Sequence, residues 1–245
     1  MDCLQDQKAV VIFSGGQDSS TCLAWALHHF KDVLTIGFDY GQRHSTELKC
    51  RVRVRDGMAA LKKNWAEKLG ADFLLNLDTY RHRLPTALTS DIPIEENGEG
   101  YVPNTFVPGR NLLFILLTAI WAYAHPLRHV VMGVCESDYS GYPDCRDDSI
   151  KAMQTALNLG MNTRYVLHTP LMWRKKADVW KLAWQLGGDA LVNLIVEESH
   201  TCYLGDRSQR HTWGYGCGVC PACRLRARGY DEYCQSKQSV QLTCS

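Results

Sequence analysis

The stretch VVIFSGGQDSSTCLAWAL, residues 10–27, decides the fold. A short apolar run leads into Gly15 and Gly16, and Leu23 and Leu27 then follow at helical spacing. A glycine pair directly after a strand lets the backbone turn tightly into a helix and exposes successive N–H groups at the positive end of that helix. The stretch therefore predicts a buried strand, an oxyanion-binding loop and a helix.

The loop lacks the features of two common nucleotide-binding motifs. A Walker loop carries a lysine that reaches the terminal phosphates, and the dinucleotide fingerprint needs G-x-G-x-x-G. SGGQDSS offers instead the hydroxyls of Ser14, Ser19 and Ser20. It also places Asp18 where a carboxylate would hold Mg²⁺ on bound phosphates. A turn that only caps a helix is the simpler alternative, but it would not need this whole combination of residues.

Composition limits the class of protein. The chain has 245 residues, 45% of them hydrophobic and 22% charged, which suits one α/β domain with a small appendage. Lys+Arg 27 and Asp+Glu 26 leave a net charge of +1, so no global charge favours a nucleic-acid or membrane-surface partner. The amino terminus lacks a signal-peptide pattern, and no apolar run reaches about 18 residues. We therefore expect a cytoplasmic protein in which most of the eleven cysteines are reduced thiols.

Apolar runs alternate with helical patterns along the chain. Strands are predicted at residues 8–13, 33–38, 72–77, 129–134 and 164–171. Helices are predicted at residues 19–30, 46–69, 111–123, 147–159 and 175–186. This alternation is typical of an α/β fold with a Rossmann-like, doubly wound parallel sheet. Residues 83–108, rich in proline, glycine and acids, are predicted to form a long loop or lid.

Four cysteines near the carboxyl end form a compact cluster: Cys202, Cys217, Cys220 and Cys223. The last three make two overlapping C-x-x-C steps, and Cys202 can complete a tetrahedral set of thiolates. The spacing predicts a structural zinc site in a small module at residues 201–245. An iron–sulfur cluster is the alternative, because C-x-x-C-x-x-C also occurs in ferredoxin-type sites.

Two further segments carry candidate binding residues. Arg110 stands beside Asn111 at the start of an apolar helix, where a guanidinium can hold a phosphate or a carboxylate. The segment GVCESDYSGYPDCRDD, residues 133–148, follows a predicted strand, and open α/β sheets bind ligands at the carboxyl ends of their strands. Its aromatic rings and carboxylates could enclose a flat heterocycle. A solvated arginine and an ordinary acidic turn are the simpler alternatives.

Six motifs, in this order, closely resemble the 7-cyano-7-deazaguanine synthases of the queuosine pathway. They are FSGGQDSSTCLAWAL, FDYGQRHSTEL, VPNTFVPGRNLLF, GVCESDYSGYPDCRDD, TPLMWRKKADVW and the pair TCY with GCGVCPACRLRA. The resemblance covers residues 8–233. The first motif alone would also fit other ATP pyrophosphatases, whereas SGYPDCRD together with the cysteine module would fit only this family. The resemblance implies an adenine-nucleotide alpha-hydrolase-like fold, with a PP-loop ATP pyrophosphatase domain at residues 1–200.

The resemblance implies an ATP-dependent carbon–nitrogen ligase. The family converts 7-carboxy-7-deazaguanine and ammonia to the 7-cyano base through an amide, adenylating first the carboxylate and then the amide and releasing AMP and pyrophosphate. The implied cofactors and substrates are ATP, Mg²⁺, Zn²⁺ and small molecules, with free ammonia as the nitrogen source. We expect no stable nucleic-acid partner and no membrane association. Both a monomer and a homodimer are compatible with the sequence.

Carried over residue by residue, the resemblance also implies a set of site residues. Catalytic roles fall to Ser14, Asp18, Ser19 and Lys176, with Lys175 as the neighbouring alternative. Nucleotide binding falls to Phe13, Ser14, Gly15, Gly16, Gln17, Asp18, Ser19, Ser20, Thr21, Cys22, Leu23, Asp39, Tyr40 and Gln42. Substrate binding falls to Arg110, Asp138, Tyr142, Asp144 and Arg146, and metal binding to Cys202, Cys217, Cys220 and Cys223.

Two segments depart from the family pattern as we expect it. Fourteen residues separate Cys202 from Cys217, and residues 49–65, KCRVRVRDGMAALKKNW, form a basic insertion. Because each doubling of a loop costs only about 0.6 kcal/mol of closure free energy, we expect zinc ligation to survive the longer loop. A surface that binds a partner is an alternative role for the basic insertion.

Two other functions stay open at this point. One is a PP-loop enzyme that adenylates a base in transfer RNA, of the thiolation or lysidine-forming type. The other is a zinc-dependent module that binds nucleic acid, for which CRLRARGY, residues 223–230, supplies a short basic run with an aromatic residue.

Overall fold

The first strand, β1 at Lys8–Ile12, lies at the centre of a parallel sheet. Its residues Ala9, Val10 and Val11 are fully buried because helices cover both faces of the sheet. The structure is a computed structural model that describes residues 4–77, 86–95, 102–137 and 141–243, with side chains described as far as residue 239.

Five parallel strands form the sheet in the order β3-β2-β1-β4-β5. The other four are β2 at Asp32–Asp39, β3 at Leu69–Asn76, β4 at His129–Val131 and β5 at Val166–His168. After β1, the chain adds β2 and β3 on one side of that strand and then β4 and β5 on the other side. The predicted doubly wound sheet is therefore confirmed, with its switch point between β1 and β4, where such sheets bind ligands.

Seven α-helices accompany the sheet in the part of the chain that the structure describes. They are α1 at Gln17–His29, α2 at Thr46–Leu61, α3 at Lys63–Lys68, α4 at Arg110–Tyr123, α5 at Asp147–Gly160, α6 at Lys176–Glu198 and α7 at Pro221–Thr243. The predicted single helix at residues 46–69 is wrong in one respect, because α2 and α3 are separate and β3 already begins at Leu69.

Two apolar layers hold the helices against the sheet. On one face, Val11 packs with residues of α1, α2 and α6, including the fully buried Trp180. On the other face, Val10 packs with α4 and α5, including Ile115 and Leu157. The alternation of Val10 and Val11 between the two layers follows from the two-residue period of a strand.

The carboxyl-terminal part of the chain is more helical than its sequence indicates. Helix α6 continues past its predicted end at residue 186, although Gly188, with φ +65°, interrupts its regular geometry. Helix α7, which has no counterpart among the predicted elements, packs on α6 through Trp180 and Tyr230, whose ring centroids lie 5.1 Å apart. A short antiparallel hairpin precedes α7, with β6 at Arg210–His211 and β7 at Gly214–Tyr215.

The basic insertion lies mostly in α2, and its arginines contact the rest of the molecule. Arg51 forms an ion pair with Asp72 of β3. Arg53 lies 2.7 Å from Glu198 at the end of α6. Arg55 donates a hydrogen bond of 2.6 Å to Gly70 O. These three side chains therefore join α2 to neighbouring elements.

The described part of the predicted loop at residues 83–108 contains no helix or strand, and residues 83–85 and 96–101 lie outside the description. Ala87 and Val107 are buried, and Ala87 N–H donates to Asn104 O at 3.0 Å. The role of this segment as a lid stays a prediction. Within the described ranges, no helix combines the length and apolar character that crossing a membrane requires.

Candidate active site

A cavity of about 350 Å³ lies at the carboxyl ends of β1, β2 and β4. Its wall combines the loop after β1 with the first turns of α2 and α4, the segment after β4, and parts of α6 and α7. The sequence-predicted residues that line it are Phe13, Ser14, Gly16, Gln17, Asp18, Ser19, Tyr40, Gln42, Arg110, Tyr142, Lys176 and Cys202. The fold therefore brings most of the predicted site residues to one place.

Other predicted residues lie beside the cavity or away from it. Residues Ser20, Thr21, Cys22 and Leu23 are buried in α1 behind the loop, and Gly15, Asp39, Asp144 and Arg146 do not line the cavity. Arg146 is exposed. Asp138 falls outside the described residues, so its predicted role stays a prediction.

The loop is built around hydroxyl groups. Ser19 Oγ accepts hydrogen bonds from the N–H groups of Ser14 at 3.3 Å and Gly15 at 3.2 Å. Gly16 N–H donates to Ser14 Oγ at 3.2 Å. The hydroxyls thus occupy N–H donors that a bound phosphate would take over at the beginning of α1, where the helix dipole favours an anion.

Gly15 allows α2 to approach the loop closely. Its φ is +94°, and a Cβ at this position would lie 2.7 Å from Glu47 O and 2.9 Å from Arg51 N. Backbone atoms cannot yield as the end of a side chain can. The loop conformation and the position of α2 therefore both depend on glycine here.

Asp18 pairs with Lys176 across the cavity. Lys176 Nζ lies 2.9 Å from each carboxylate oxygen of Asp18. The lysine side chain is only 8% exposed, whereas that of Asp18 is 33% exposed. The first residue of α6 thus places a positive charge beside the loop, where it can neutralise a phosphate. The prediction of Lys176 rather than Lys175 fits this geometry, because Lys176 lines the cavity.

Another part of the cavity wall is aromatic and carries a buried guanidinium. Arg110 Nη1 donates to Tyr40 Oη at 3.2 Å, and its guanidinium carbon lies 6.0 Å from the centroid of the Tyr142 ring. Burial disfavours its charge, but the two tyrosines and Asp144 outweigh burial and raise the pKa of Arg110. Phe114 adds a ring to this wall and stacks on Phe38 with centroids 4.2 Å apart. The wall suits a flat, negatively charged ligand.

Asp144 acts on the beginning of α4. Its Oδ2 accepts a hydrogen bond of 2.9 Å from Asn111 N–H, and its Oδ1 accepts one of 3.0 Å from Asn111 Nδ2. Both carboxylate oxygens are therefore engaged within the protein. This contact holds the first turn of α4 and with it the position of Arg110.

The four clustered cysteines converge as the sequence predicts. The Sγ atoms of Cys202, Cys217, Cys220 and Cys223 all lie within 4.8 Å of one another. Tetrahedral zinc with thiolate ligands needs sulfur atoms about 3.8 Å apart, so the donor set fits this ion. Of the residues that the structure describes, only these four form a group with the geometry of a metal site.

Arg226 shows that the basic run CRLRARGY is not simply a surface patch. Its side chain is 1% exposed and donates to Trp213 O at 2.9 Å and to Ile195 O at 3.0 Å. Burial lowers its pKa to about 10. It lines the cavity and ties α7 to the end of α6, so its surroundings argue against a role in binding an external nucleic acid.

Two residues of the cavity wall carried no sequence signal. Glu47 lies in FDYGQRHSTEL, but only the approach of α2 to the loop places it at the site. His200 precedes the cysteine module and is 2% exposed. Its N–H donates to Gly15 O at 3.2 Å, a contact between residues far apart in sequence.

Sheet order, loop and cavity together define a doubly wound α/β protein with the fold of the PP-loop class. A solved structure described as a 4-thiouridine synthetase–RNA complex with bound ATP has a similar fold, with a TM-score of 0.51 and 12% sequence identity. The match covers 93% of this chain, which spans about half, 53%, of the chain in that structure. At this identity the likeness concerns the fold alone.

The chain belongs to the family described as queuosine biosynthesis protein QueC, whose family model matches residues 8–234. A relative from Azorhizobium caulinodans is 62% identical over 225 residues, covering 92% of this chain and 93% of its own. One from Bradyrhizobium sp. is 60% identical, covering 94% and 97%. Both are named 7-cyano-7-deazaguanine synthase. The family resemblance predicted from the motifs is therefore confirmed.

Proposed function

We propose that this protein is an ATP-dependent ligase that converts 7-carboxy-7-deazaguanine and ammonia into 7-cyano-7-deazaguanine. The observation that carries the proposal is the family match over residues 8–234, which includes every described wall of the cavity. The same cavity is lined by the hydroxyl-rich loop and by an aromatic wall that carries a guanidinium, which supports a nucleotide and a flat anionic substrate as its ligands.

The chemistry requires that one carbon lose two oxygen atoms. A carboxylate is a poor electrophile because its charge is delocalised and its oxygen leaves badly, and adenylation turns that oxygen into part of AMP. Ammonia then displaces AMP and forms the amide. A second adenylation, now of the amide oxygen, allows that oxygen to leave and gives the nitrile.

The loop and Lys176 are assigned to the nucleotide. The hydroxyls of Ser14 and Ser19 and the N–H groups around them would hold the phosphates, and the ammonium of Lys176 would neutralise charge as pyrophosphate departs. Asp18 is the acidic residue of the loop and would offer Mg²⁺ an oxygen ligand beside the phosphates. Bound Mg²⁺ would supply further neutralisation of phosphate charge.

Arg110 and Tyr142 are assigned to the deazaguanine. The charged guanidinium can hold the carboxylate of the substrate, and the rings of Tyr142 and Phe114 can contact its flat heterocycle. Asp144 would act indirectly, because both of its oxygens bind Asn111. Direct contacts of Asp138 and Arg146 with the substrate stay predictions.

The cysteine cluster is assigned to structural zinc. Four thiolates fill a tetrahedral shell and leave no position for water or substrate, so the ion would stabilise the module at residues 201–245 and take no part in the reaction. Such thiols must be reduced to bind zinc, and we therefore place the enzyme in the cytoplasm.

Mass spectrometry tests the proposal. Purified protein is incubated with 7-carboxy-7-deazaguanine, ammonium, Mg²⁺ and ATP, and the nitrile, AMP and pyrophosphate are measured together. We expect the nitrile to appear with two AMP for each product molecule. Release of AMP without nitrile would favour a PP-loop enzyme with another acceptor, such as a base in transfer RNA. No ATP consumption at all would exclude the proposed ligase.

A further inference from the structure

Beside the loop, three oxygen atoms lie close together at Gly16. A Cβ built on Gly16 would lie 2.8 Å from Glu47 Oε1, 3.3 Å from His200 O and 3.4 Å from Ser14 Oγ, so only glycine allows this close approach. Ser14, Glu47 and His200 all line the cavity, and a carboxylate, a carbonyl and a hydroxyl therefore border the space that it offers beside the loop. We propose that Glu47 binds ammonium in this space and accepts its proton, which generates the attacking ammonia.

A small cation with several N–H donors fits these surroundings. Carbonyl and carboxylate oxygens accept hydrogen bonds and cannot donate them, and a hydroxyl can do either. The two ring nitrogens of His200, on the wall of the same cavity, have no hydrogen-bond partner within the described part of the chain. Buried polar atoms without a protein partner indicate a ligand that the protein itself does not supply.

The surroundings of Glu47 also set its proton affinity. Burial raises the pKa of Glu47 to about 7, against the opposing effects of the Ser14 hydroxyl, Arg110 and Arg51, while Asp18 raises it further. Tyr40 and Cys50 also lie close enough to interact with it electrostatically. A carboxylate whose pKa lies near neutral pH is a far better base than an ordinary exposed glutamate.

The inference rests on the proposed ligase and deepens it by naming the group that prepares its second substrate. In water near neutral pH almost all ammonia exists as ammonium, which has no lone pair to attack with. Ammonium gives one proton to the Glu47 carboxylate, and the freed lone pair forms the C–N bond to the adenylated carbon. The nitrogen releases a second proton to solvent as the C–O bond breaks and AMP leaves with its electron pair.

The position of Glu47 suits this step. The oxygens that border the space include Ser14 Oγ, which belongs to the loop assigned to the phosphates. A nitrogen held there lies close to the nucleotide and so to the adenylated carbon. Attack from a held position avoids the entropic cost of capturing ammonia from solution during the reaction.

Glu47→Gln tests the proposal, because glutamine keeps the shape of the side chain and cannot accept the proton. The matched control is Glu67→Gln, on α3, whose side chain is 64% exposed. Adenylation is measured without ammonium as the exchange of labelled pyrophosphate into ATP that depends on the carboxylate substrate. We expect both variants to retain this exchange, whereas Glu47→Gln lowers kcat/KM for ammonium by about 100-fold or more.

Hydroxylamine separates proton removal from a merely structural role. It is unprotonated at neutral pH and needs no base before attack, so Glu47→Gln should form the hydroxamate at nearly the wild-type rate. With ammonium, the wild-type rate should rise with pH through about 7 as Glu47 ionises, and the variant should lack that inflection. Glu47→Asp, which keeps a carboxylate one methylene further back, should lose less ammonium-dependent activity than Glu47→Gln.

Four results would overturn the inference. Loss of exchange in Glu47→Gln, with Glu47→Asp equally inactive, would place Glu47 in adenylation or in the fold. Equal losses with hydroxylamine and ammonium would give it a role in positioning the adenylate. An unchanged kcat/KM for ammonium in Glu47→Gln would show that Glu47 has no role in the use of ammonium. If the wild-type protein catalyses no exchange, the proposed function itself fails, a result distinct from any defect confined to the variants.

Discussion

Asp18 and Lys176 differ in burial, and this difference makes their substitutions unequal. The lysine side chain is 8% exposed and that of Asp18 33%. Removing the carboxylate takes an ion-pair interaction from a buried ammonium, whereas removing the ammonium takes it from a carboxylate that water can reach. The loss costs the buried charge far more than the exposed one, because water cannot replace the lost interaction there.

We therefore expect Asp18→Ala to abolish nitrile formation and to lower the free energy of unfolding by roughly 2–3 kcal/mol while the protein still folds. Lys176→Met should also lose activity, with a smaller loss of stability. Urea denaturation of both single variants and of the double variant measures these changes. Normal turnover by Asp18→Ala would contradict the role assigned to the carboxylate, and a larger stability loss in Lys176→Met would contradict the burial argument.

His168, at the end of β5, makes stability depend on pH. Burial, with smaller effects of His129 and His29, lowers the pKa of His168 from 6.5 to about 4. The unfolded chain therefore binds a proton between these pH values while the folded one does not. The contribution of neutral His168 to the free energy of unfolding is therefore complete above about pH 6.5 and is lost as the pH falls toward 4.

We expect the melting temperature of the wild type to fall more steeply than that of His168→Gln between pH 6.5 and 4. The difference should correspond to about 2 kcal/mol, because one pKa unit equals about 1.4 kcal/mol and some relaxation reduces the total. Glutamine retains a polar group near His129 Nδ1, which lies 2.9 Å from His168 Nε2 in the wild type. Parallel curves for the two proteins would exclude His168 as the origin of the pH dependence.

At the scale of elements, the position of α2 depends on one residue of the loop. Gly15 has φ +94° and brings its Cα face against the backbone of Glu47 and Arg51. This contact places the first turn of α2, and therefore Glu47, at the cavity. The ion pair of Arg51 with Asp72 then holds the same helix to β3.

Gly15→Ala should displace α2 and lower the free energy of unfolding by at least about 2 kcal/mol, since the left-handed conformation alone costs an alanine roughly 1–2 kcal/mol. Gly160→Ala, at the end of α5, is the control, because a Cβ there meets nothing within 4 Å. That substitution should be neutral or stabilise the protein by up to about 1 kcal/mol. Equal effects of the two substitutions in urea denaturation would contradict the proposed contact.

At the scale of the whole molecule, the cysteine module forms part of the cavity. Cys202 lines it directly, and so do Leu225 and Arg226 of α7. Metal binding and folding are coupled in modules of this kind, with apparent free energies of about 10–16 kcal/mol for structural zinc. Loss of the proposed zinc should therefore damage a site that consists mostly of residues outside the module.

We expect a non-hydrolysable ATP analogue at about 100 times its dissociation constant to stabilise the zinc-bound protein by roughly 2.7 kcal/mol. This stabilisation should vanish after chelation or in Cys223→Ser. Cys234→Ser is the control, because Cys234 lies on the same helix outside the cluster. Thermal denaturation with and without the analogue measures the effect. Retained stabilisation after complete zinc removal would separate the module from the site.

Features of this molecule that depend on residues close together in sequence could be predicted, whereas features that depend on tertiary contacts could not. The loop at Ser14 and the three cysteines at 217, 220 and 223 were predictable because each motif, its spacing and its chemistry lie within a few residues, and Cys202 follows as the fourth thiolate that tetrahedral zinc requires. Helix α7 was not, since glycines, cysteines and arginines obscure its apolar periodicity. The position of Glu47 at the cavity could not be predicted either, because it depends on the tertiary contact between α2 and the loop. For Asp144 the sequence predicts substrate binding, and that role stays a prediction, whereas the two hydrogen bonds that it accepts from Asn111 depend on tertiary structure.

The cavity unites residues from both ends of the chain, such as Ser14 and Arg226. A ribosome makes the chain from its amino end, so the loop emerges long before α6 and α7 exist. Until then Asp18 lacks its partner Lys176 and the cavity lacks part of its wall. A polypeptide released before residue 176 therefore contains the loop without the site. Premature termination should yield a product that is catalytically silent and does not consume the cell's ATP.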